Sequence, residues 1–304
     1  MDVTIAGIQF QNPVIAASGT FAYGVEFRDI LDLNALGGFV VKGLSKKPMD
    51  GNRPPRIWEA HGGMINSIGL QNIGVREFVA SKLPELQGLR SKVIANVFGY
   101  AVEDYEEVIA VLEDAPGLAA YELNVSCPNT KHGGIAFSSD PAMLAEVVGA
   151  CRKAAVRRPI IVKLSPNVAR IEPLAQAAVD AGADAISLVN TFISLAVDAR
   201  ARRPRIGAGF GGLSGPAIKP IALRLVYETA KAVKVPVIGL GGIATGEDAA
   251  EFLIAGATAV EVGTASFWDP EAAIRIAKQL AQFCGEEQVT AVSELTGTLR
   301  WPTS

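Results

Sequence analysis

The chain has 304 residues, 49% of them apolar and 19% charged, enough to bury a large core and too apolar for disorder. Its 28 Lys and Arg against 31 Asp and Glu leave a net charge of −3, which offers no footprint for nucleic acid. Three scattered cysteines and two histidines argue against a cysteine-held metal cluster, a disulfide framework or most histidine-based triads, and they point to a reducing cytoplasm. From the N-terminus, Val3 to Gln11 reads as a small hairpin. Eight short apolar, β-branched runs follow: Pro13 to Ser18, Gly38 to Lys42, Lys92 to Val97, Ala119 to Asn124, Pro159 to Leu164, Asp184 to Asn190, Val235 to Leu240 and Thr258 to Val262. Continuous apolar strands of this kind suit a parallel sheet covered on both faces.

Stretches with helical spacing separate the runs. Asp140-Pro141 opens one that reaches about Ala155, Thr245 to Asp248 reads as an N-cap with an acidic first turn, and Asp269-Pro270 opens another towards Phe283. Eight strand-then-helix units predict a closed (β/α)8 TIM barrel, an α/β fold with its N-terminal hairpin plugging the bottom. A doubly wound open sheet would place a glycine fingerprint after its first strand, whereas here glycine pairs follow the seventh and eighth. No linker or repeat divides residues 1–304, so one domain is expected. Three insertions, about 44–91, 126–139 and 191–215, leave C-terminal strand ends and should gather over the top of the barrel. No run of about 18 uncharged apolar residues exists, and Met1-Asp2 lacks a basic leader, so neither a membrane span nor export is expected.

The residues at the strand ends are Ser18-Gly19, Lys42-Gly43, Asn96, Asn124, Lys163, Asn190-Thr191, Gly241-Gly242 and Gly263-Thr264, every one polar or glycine. Polar residues often end strands simply because pairing stops there. Two lysines emerging from apolar runs, however, must meet an anion or a wet cavity. The two glycine pairs let backbone N–H groups approach a phosphate, with a helix N-terminus at Thr245 adding favourable dipole. Asparagines supply donor and acceptor together and match the edge of a flavin or a pyrimidine, and Lys163 can place positive charge beside a flavin ring. Lys163 can equally pair with Glu122, which shares its strand face with Asn124. Cys127 lies on a loop three residues past a strand end with no histidine positioned as its base, so proton transfer is the chemistry open to it; His132, five residues on, reads as a solvated loop residue.

These motifs resemble the dihydroorotate dehydrogenase family. The resemblance rests on Asn12-Pro13 to Ser18-Gly19-Thr20, Val41-Lys42-Gly43, Ile65-Asn66-Ser67-Ile68-Gly69-Leu70-Gln71-Asn72, Asn124 to Asn129, Lys163-Leu164-Ser165-Pro166, Asn190-Thr191, Leu213-Ser214-Gly215 and the two glycine pairs. It implies an FMN-binding barrel that oxidises dihydroorotate to orotate, with Cys127 removing the C5 proton while hydride leaves C6 for the flavin. It implies a pyrimidine site of Lys42, Asn66, Ser67, Ile68, Gly69, Leu70, Asn124, Asn129, Asn190 and Thr191. For FMN it implies Ser18, Lys42, Gly43, Asn96, Asn124, Lys163, Val189, Gly215, Gly241, Gly242, Gly263 and Thr264. A cysteine base is similar to class 1, and Asn129 to Phe137 together with Pro55 to Glu59 are similar to class 1B. That class passes electrons to NAD through a partner subunit carrying FAD and a [2Fe–2S] cluster, in a heterotetramer of two such partners on a homodimer of the catalytic chain. The alternatives are class 1A, which reduces fumarate directly, and more distantly a tRNA dihydrouridine synthase.

Overall fold

In the computed structural model, which describes residues 1–126, 128–129 and 135–302, eight parallel strands close into a barrel. They are β1 (Val14–Ala16), β2 (Gly38–Val40), β3 (Lys92–Val97), β4 (Ala120–Asn124), β5 (Ile160–Lys163), β6 (Ala185–Leu188), β7 (Val237–Leu240) and β8 (Ala259–Val262). Each pairs with its sequence neighbours, and β8 closes on β1 through Val260, Glu261 and Val262 opposite Val14, Ile15 and Ala16. All eight apolar runs are therefore strands, and the expected (β/α)8 architecture is the observed one. Regular pairing stops two residues earlier than the apolar runs suggest in β1, β2 and β6. Lys42 instead donates its backbone N–H to Ala22, and Asn190 donates to Leu164.

Helices α1 (Val102–Glu113), α2 (Pro141–Ala154), α3 (Glu172–Asp180), α4 (Lys219–Ala232), α5 (Gly246–Ala255) and α6 (Ala272–Glu286) follow β3 to β8 and pack outside them. Asp140 caps α2 by accepting from the N–H groups of Ala142 and Met143, with Pro141 pre-set at the first position. Thr245 and Asp248 form a reciprocal capping box on α5. The last helix starts at Ala272, later than Asp269-Pro270 suggests, because the Asp269 carboxylate accepts from Glu271 N–H and Arg275 and so caps a preceding turn. After β2 the helical stretch from Val75 changes from α to a π turn (Phe78–Lys82) and then to 3-10 geometry (Leu83–Leu86).

The bottom is closed as expected. Val3–Ile5 and Ile8–Phe10 form an antiparallel hairpin whose Val3, Ile5 and Phe10 are buried, with the Phe10 ring against Gly38 at the start of β2. Ahead of β5, Arg158 donates to the carbonyls of Leu112, Glu113, Ala115 and Leu118 and to the Tyr121 hydroxyl, and so ties the α1–β4 connection to the start of β5.

The top carries an element the sequence did not suggest. Segments of two of the insertions join in one antiparallel sheet, in the order Phe192–Leu195, Phe210–Ser214, Gly63–Asn66, Ile57–Ala60. The glycine density of this region is steric: a Cβ on Gly212 would lie 2.0 Å from Thr191 Oγ1. The third insertion contributes a two-residue ladder, Pro128–Asn129 with Ile135–Ala136. Among the described residues no helix is long and apolar enough to cross a membrane, and no His, Cys, Asp and Glu group could hold a metal ion.

Candidate active site

The C-terminal mouth of the barrel and the sheet above it enclose a cavity of about 630 Å³, within the range that takes a cofactor-sized ligand. Every residue of the expected site lines it, apart from Cys127 and Asn129. Cys127 and His132 lie outside the described residues, and of Asn129 only the backbone, in its short ladder, is described. The strand-end argument therefore converges on one space. Lys42 and Gly43 come from the end of β2, Asn96 from β3, Asn124 from β4 and Lys163 from β5, while Asn66 to Leu70 descend from the upper sheet.

Two regions of different chemistry divide the cavity. On one side the amides interlock: Asn190 Nδ2 donates to Ser126 Oγ (3.0 Å) and Asn124 Oδ1 (3.4 Å), Asn124 Oδ1 accepts from Ser126 N–H, and Asn190 Oδ1 accepts from Thr191 N–H. Asn52 Nδ2 holds Ser67 through its hydroxyl (2.8 Å) and carbonyl (3.1 Å). On the other side lie Gly215, Gly241, Gly242, Gly263 and Thr264. Gly241 and Gly242 have φ of 127° and 85°, and a Cβ on Gly242 would meet the Gly215 carbonyl at 2.8 Å, so only glycine lets the backbone turn here. Among the described residues the N–H groups of Gly242 and Thr264 find no acceptor, and both residues line the cavity.

The floor is charged. Lys163, buried in β5, donates to Glu261 Oε2 at 2.9 Å and to Glu122 Oε1 at 3.4 Å. Glu122 also accepts from Asn96 Nδ2 at 2.7 Å and from Ser187 Oγ at 2.9 Å. Burial drives the Glu122 carboxyl up, but the charge of Lys163 and the hydrogen bonds it accepts outweigh burial and hold it below the usual carboxylate range. Burial likewise drives Lys163 down, and its two carboxylate neighbours more than restore it. Lys42 differs: burial, reinforced by the nearby Arg56, lowers its ammonium, and no carboxylate compensates. A half-buried cation lining a cavity, with no carboxylate beside it among the described residues, is a site for an anion.

The profile of the family described as Dihydroorotate dehydrogenase matches residues 1–284 of the chain. The chain is 70% identical over 298 residues, 98% of each chain, to a Solibacter usitatus protein named "Putative dihydroorotate dehydrogenase A (fumarate)". It is 53% identical over 299 residues, again 98% of each chain, to the Citrifermentans bemidjiense "Dihydroorotate dehydrogenase B (NAD(+)), catalytic subunit", and 52% identical over the same length and share to the protein of that name from Geobacter sulfurreducens. The chain belongs to the dihydroorotate dehydrogenase family.

Membership makes it an oxidoreductase of pyrimidine biosynthesis in a family of flavoenzymes. The donor set fits a flavin mononucleotide: unpartnered N–H groups and glycine turns where a phosphate needs close approach, and Lys163 and Asn96 where a polar ring needs partners. Among residues that the expectation omitted, Ser126, Thr20, Met64 and Phe267 also line the cavity. So does Ile57, from the outer strand of the upper sheet, which pairwise reading of strand ends could not find. Glu261, the stronger partner of Lys163, was also missed. Its signal was present in the sequence, a lone acid within Ala259–Val262, as plain as the lysine at the end of β5.

Proposed function

We propose that the chain, acting as a single barrel domain, is the FMN-bearing catalytic subunit of a class 1B dihydroorotate dehydrogenase. The convergence of strand-end amides, two lysines and a glycine phosphate cradle on one cavity supports this reading above all. Bound FMN would supply the acceptor for the hydride leaving C6 of dihydroorotate. Gly215, Gly241, Gly242, Gly263 and Thr264 would hold its phosphate, and Ser18, Gly43, Asn96, Lys163 and Val189 would hold its ring. Lys42 and Asn124 would serve both ring and substrate, and the charge of Lys42 would receive the substrate carboxylate. Asn66 to Leu70, Asn190, Thr191 and Asn129 hold the pyrimidine edge through paired donors and acceptors. Cys127, as thiolate, takes the C5 proton.

Electrons then pass to NAD through a partner subunit that carries FAD and a [2Fe–2S] cluster, two such partners sitting on a homodimer of this chain in the cytoplasm. Relatives named as catalytic subunits support a protein partner. So does the outer face of the upper sheet, where Ile193, Leu195 and Phe210 are exposed. Cys151 and Cys284, both unpaired thiols, agree with a reducing compartment. The name of the Solibacter relative favours a second reading, direct reduction of fumarate. The purified protein is expected to bleach its bound flavin with dihydroorotate under anaerobic conditions, and failure to bleach overturns both readings. Turnover with fumarate alone overturns the NAD-linked one.

A further inference from the structure

Below the cavity three ionisable side chains share one buried layer: Glu122 from β4, Lys163 from β5 and Glu261 from β8. They are unequally served. Glu122 accepts from Asn96, Ser187 and Lys163, whereas Glu261 accepts from Lys163 through Oε2 alone, and its buried Oε1 has no donor among the described residues. The other barrel strands add no ionisable side chain to this layer. β1, β2 and β7 are uncharged along their length, and Lys92 of β3 stands at the opposite end of its strand from Asn96. Lys42, past the end of β2, lines the cavity above. One cation thus faces two carboxylates with no water-accessible surface of their own, and a proton on the Glu261 carboxyl would supply an O–H donor for the neighbouring Glu122 carboxylate.

We propose that Glu261 is a proton-storing positioning residue beneath the cofactor. It holds a proton near neutral pH and, at alkaline pH where that proton has been lost, binds one when negative charge arrives above Lys163 and returns it to solvent through the cavity when that charge leaves. The inference rests on the flavin reading of the cavity. The balance is simple: hydride from dihydroorotate brings two electrons and one proton to the cofactor, and Glu261 takes a separate proton from water. No bond other than the carboxyl O–H forms or breaks at Glu261, and reoxidation by the acceptor reverses the uptake.

Two measurements on wild type and Glu261→Gln test it. Infrared spectra of the flavin-free protein should show a protonated carboxyl band near neutral pH that fades on alkalinisation and is missing from Glu261→Gln. A band that survives in the variant, or no such band in wild type, overturns the proposal whatever the cofactor. In the flavin-loaded protein at alkaline pH, where the neutral carboxyl band has faded, the reduction potential should fall more steeply with pH in wild type than in Glu261→Gln, by up to one additional proton per flavin reduced. Parallel slopes overturn the linkage, whereas a protein that binds no flavin overturns the reading of the cavity and leaves the infrared result to decide the state of Glu261. Glu122→Gln, which removes the acceptor instead, should restore a single Lys163–Glu261 ion pair and abolish the neutral carboxyl band; its persistence overturns the assignment to this pair.

Discussion

Replacing Glu261 with glutamine should remove a loss of stability that the wild-type protein suffers as the pH rises. Burial first, and then the charge of Glu122, push the Glu261 carboxyl from 4.5 up to about 8, against the attraction of Lys163. Between those values the folded chain binds a proton that the unfolded chain has released. The contribution of this group to stability is therefore fully present below the unfolded value and is lost progressively as the pH rises through the folded one. At about 1.36 kcal/mol for each pH unit crossed, wild type loses about 3 to 4 kcal/mol from this source between about pH 5 and pH 8. Glutamine keeps the shape, accepts from Lys163 and donates to Glu122, but has no proton to lose. Urea unfolding of both flavin-free proteins at about pH 5, 6, 7 and 8 isolates the effect of this layer, because titrating groups remote from Glu261, Glu122 and Lys163 cancel in the difference. Stability curves that run parallel over that range would refute the reasoning, since they would mean that Glu261 is ionised in both folded and unfolded states.

Cys127→Ala should retain flavin but slow its bleaching by dihydroorotate about 10²- to 10⁴-fold in anaerobic stopped-flow, and unchanged kinetics would remove Cys127 from proton transfer. Cys127→Ser should lose less at high pH than at neutral pH, because a hydroxyl is a far weaker acid than a thiol. Gly242→Ala places a Cβ at a φ of 85° and 2.8 Å from the Gly215 carbonyl. At about 1–2 kcal/mol of backbone strain, it should weaken flavin binding roughly tenfold by equilibrium titration, and unaltered affinity would count against the phosphate cradle. Arg158→Ala leaves the carbonyls of Leu112, Glu113, Ala115 and Leu118 without their donor. It should cost about 3 kcal/mol in urea unfolding with flavin affinity intact, whereas a change in affinity alone would mean that the barrel's bottom communicates with its mouth.

What the sequence disclosed was whatever repeats along one dimension. Each barrel strand is an apolar run such as Ile160–Lys163, fully buried on both faces, and the run itself announces it. Each strand end carries its own polar residue, so the cavity could be assembled from eight independent observations. The upper sheet stayed hidden because its strands depend on partners far away in the chain: Leu213 pairs with Ile65, and Gly212 with Asn66. Phe192–Leu195 also alternates half-buried Phe192 and Ser194 with exposed Ile193 and Leu195, so the polar-out pattern that would mark a surface strand is missing.

Glu261 shows a different kind of limit. A lysine at the end of an apolar strand invites a search for one counter-charge, and Glu122, with the correct parity on the adjacent strand, satisfies that search. Closing the barrel changes the arithmetic, because β8 comes round to face β5 across the interior and delivers a second carboxylate at 2.9 Å, closer than the first at 3.4 Å. With all three groups ionised the layer would carry a net negative charge out of water, which burial forbids unless a proton is retained. The proton belongs on Glu261, because Glu122 already has Asn96 and Ser187 to stabilise its charge and Glu261 has neither. Pairwise reading of charges along a sequence finds a salt bridge here, whereas the closed barrel turns the same residues into a proton-binding site beneath the cavity.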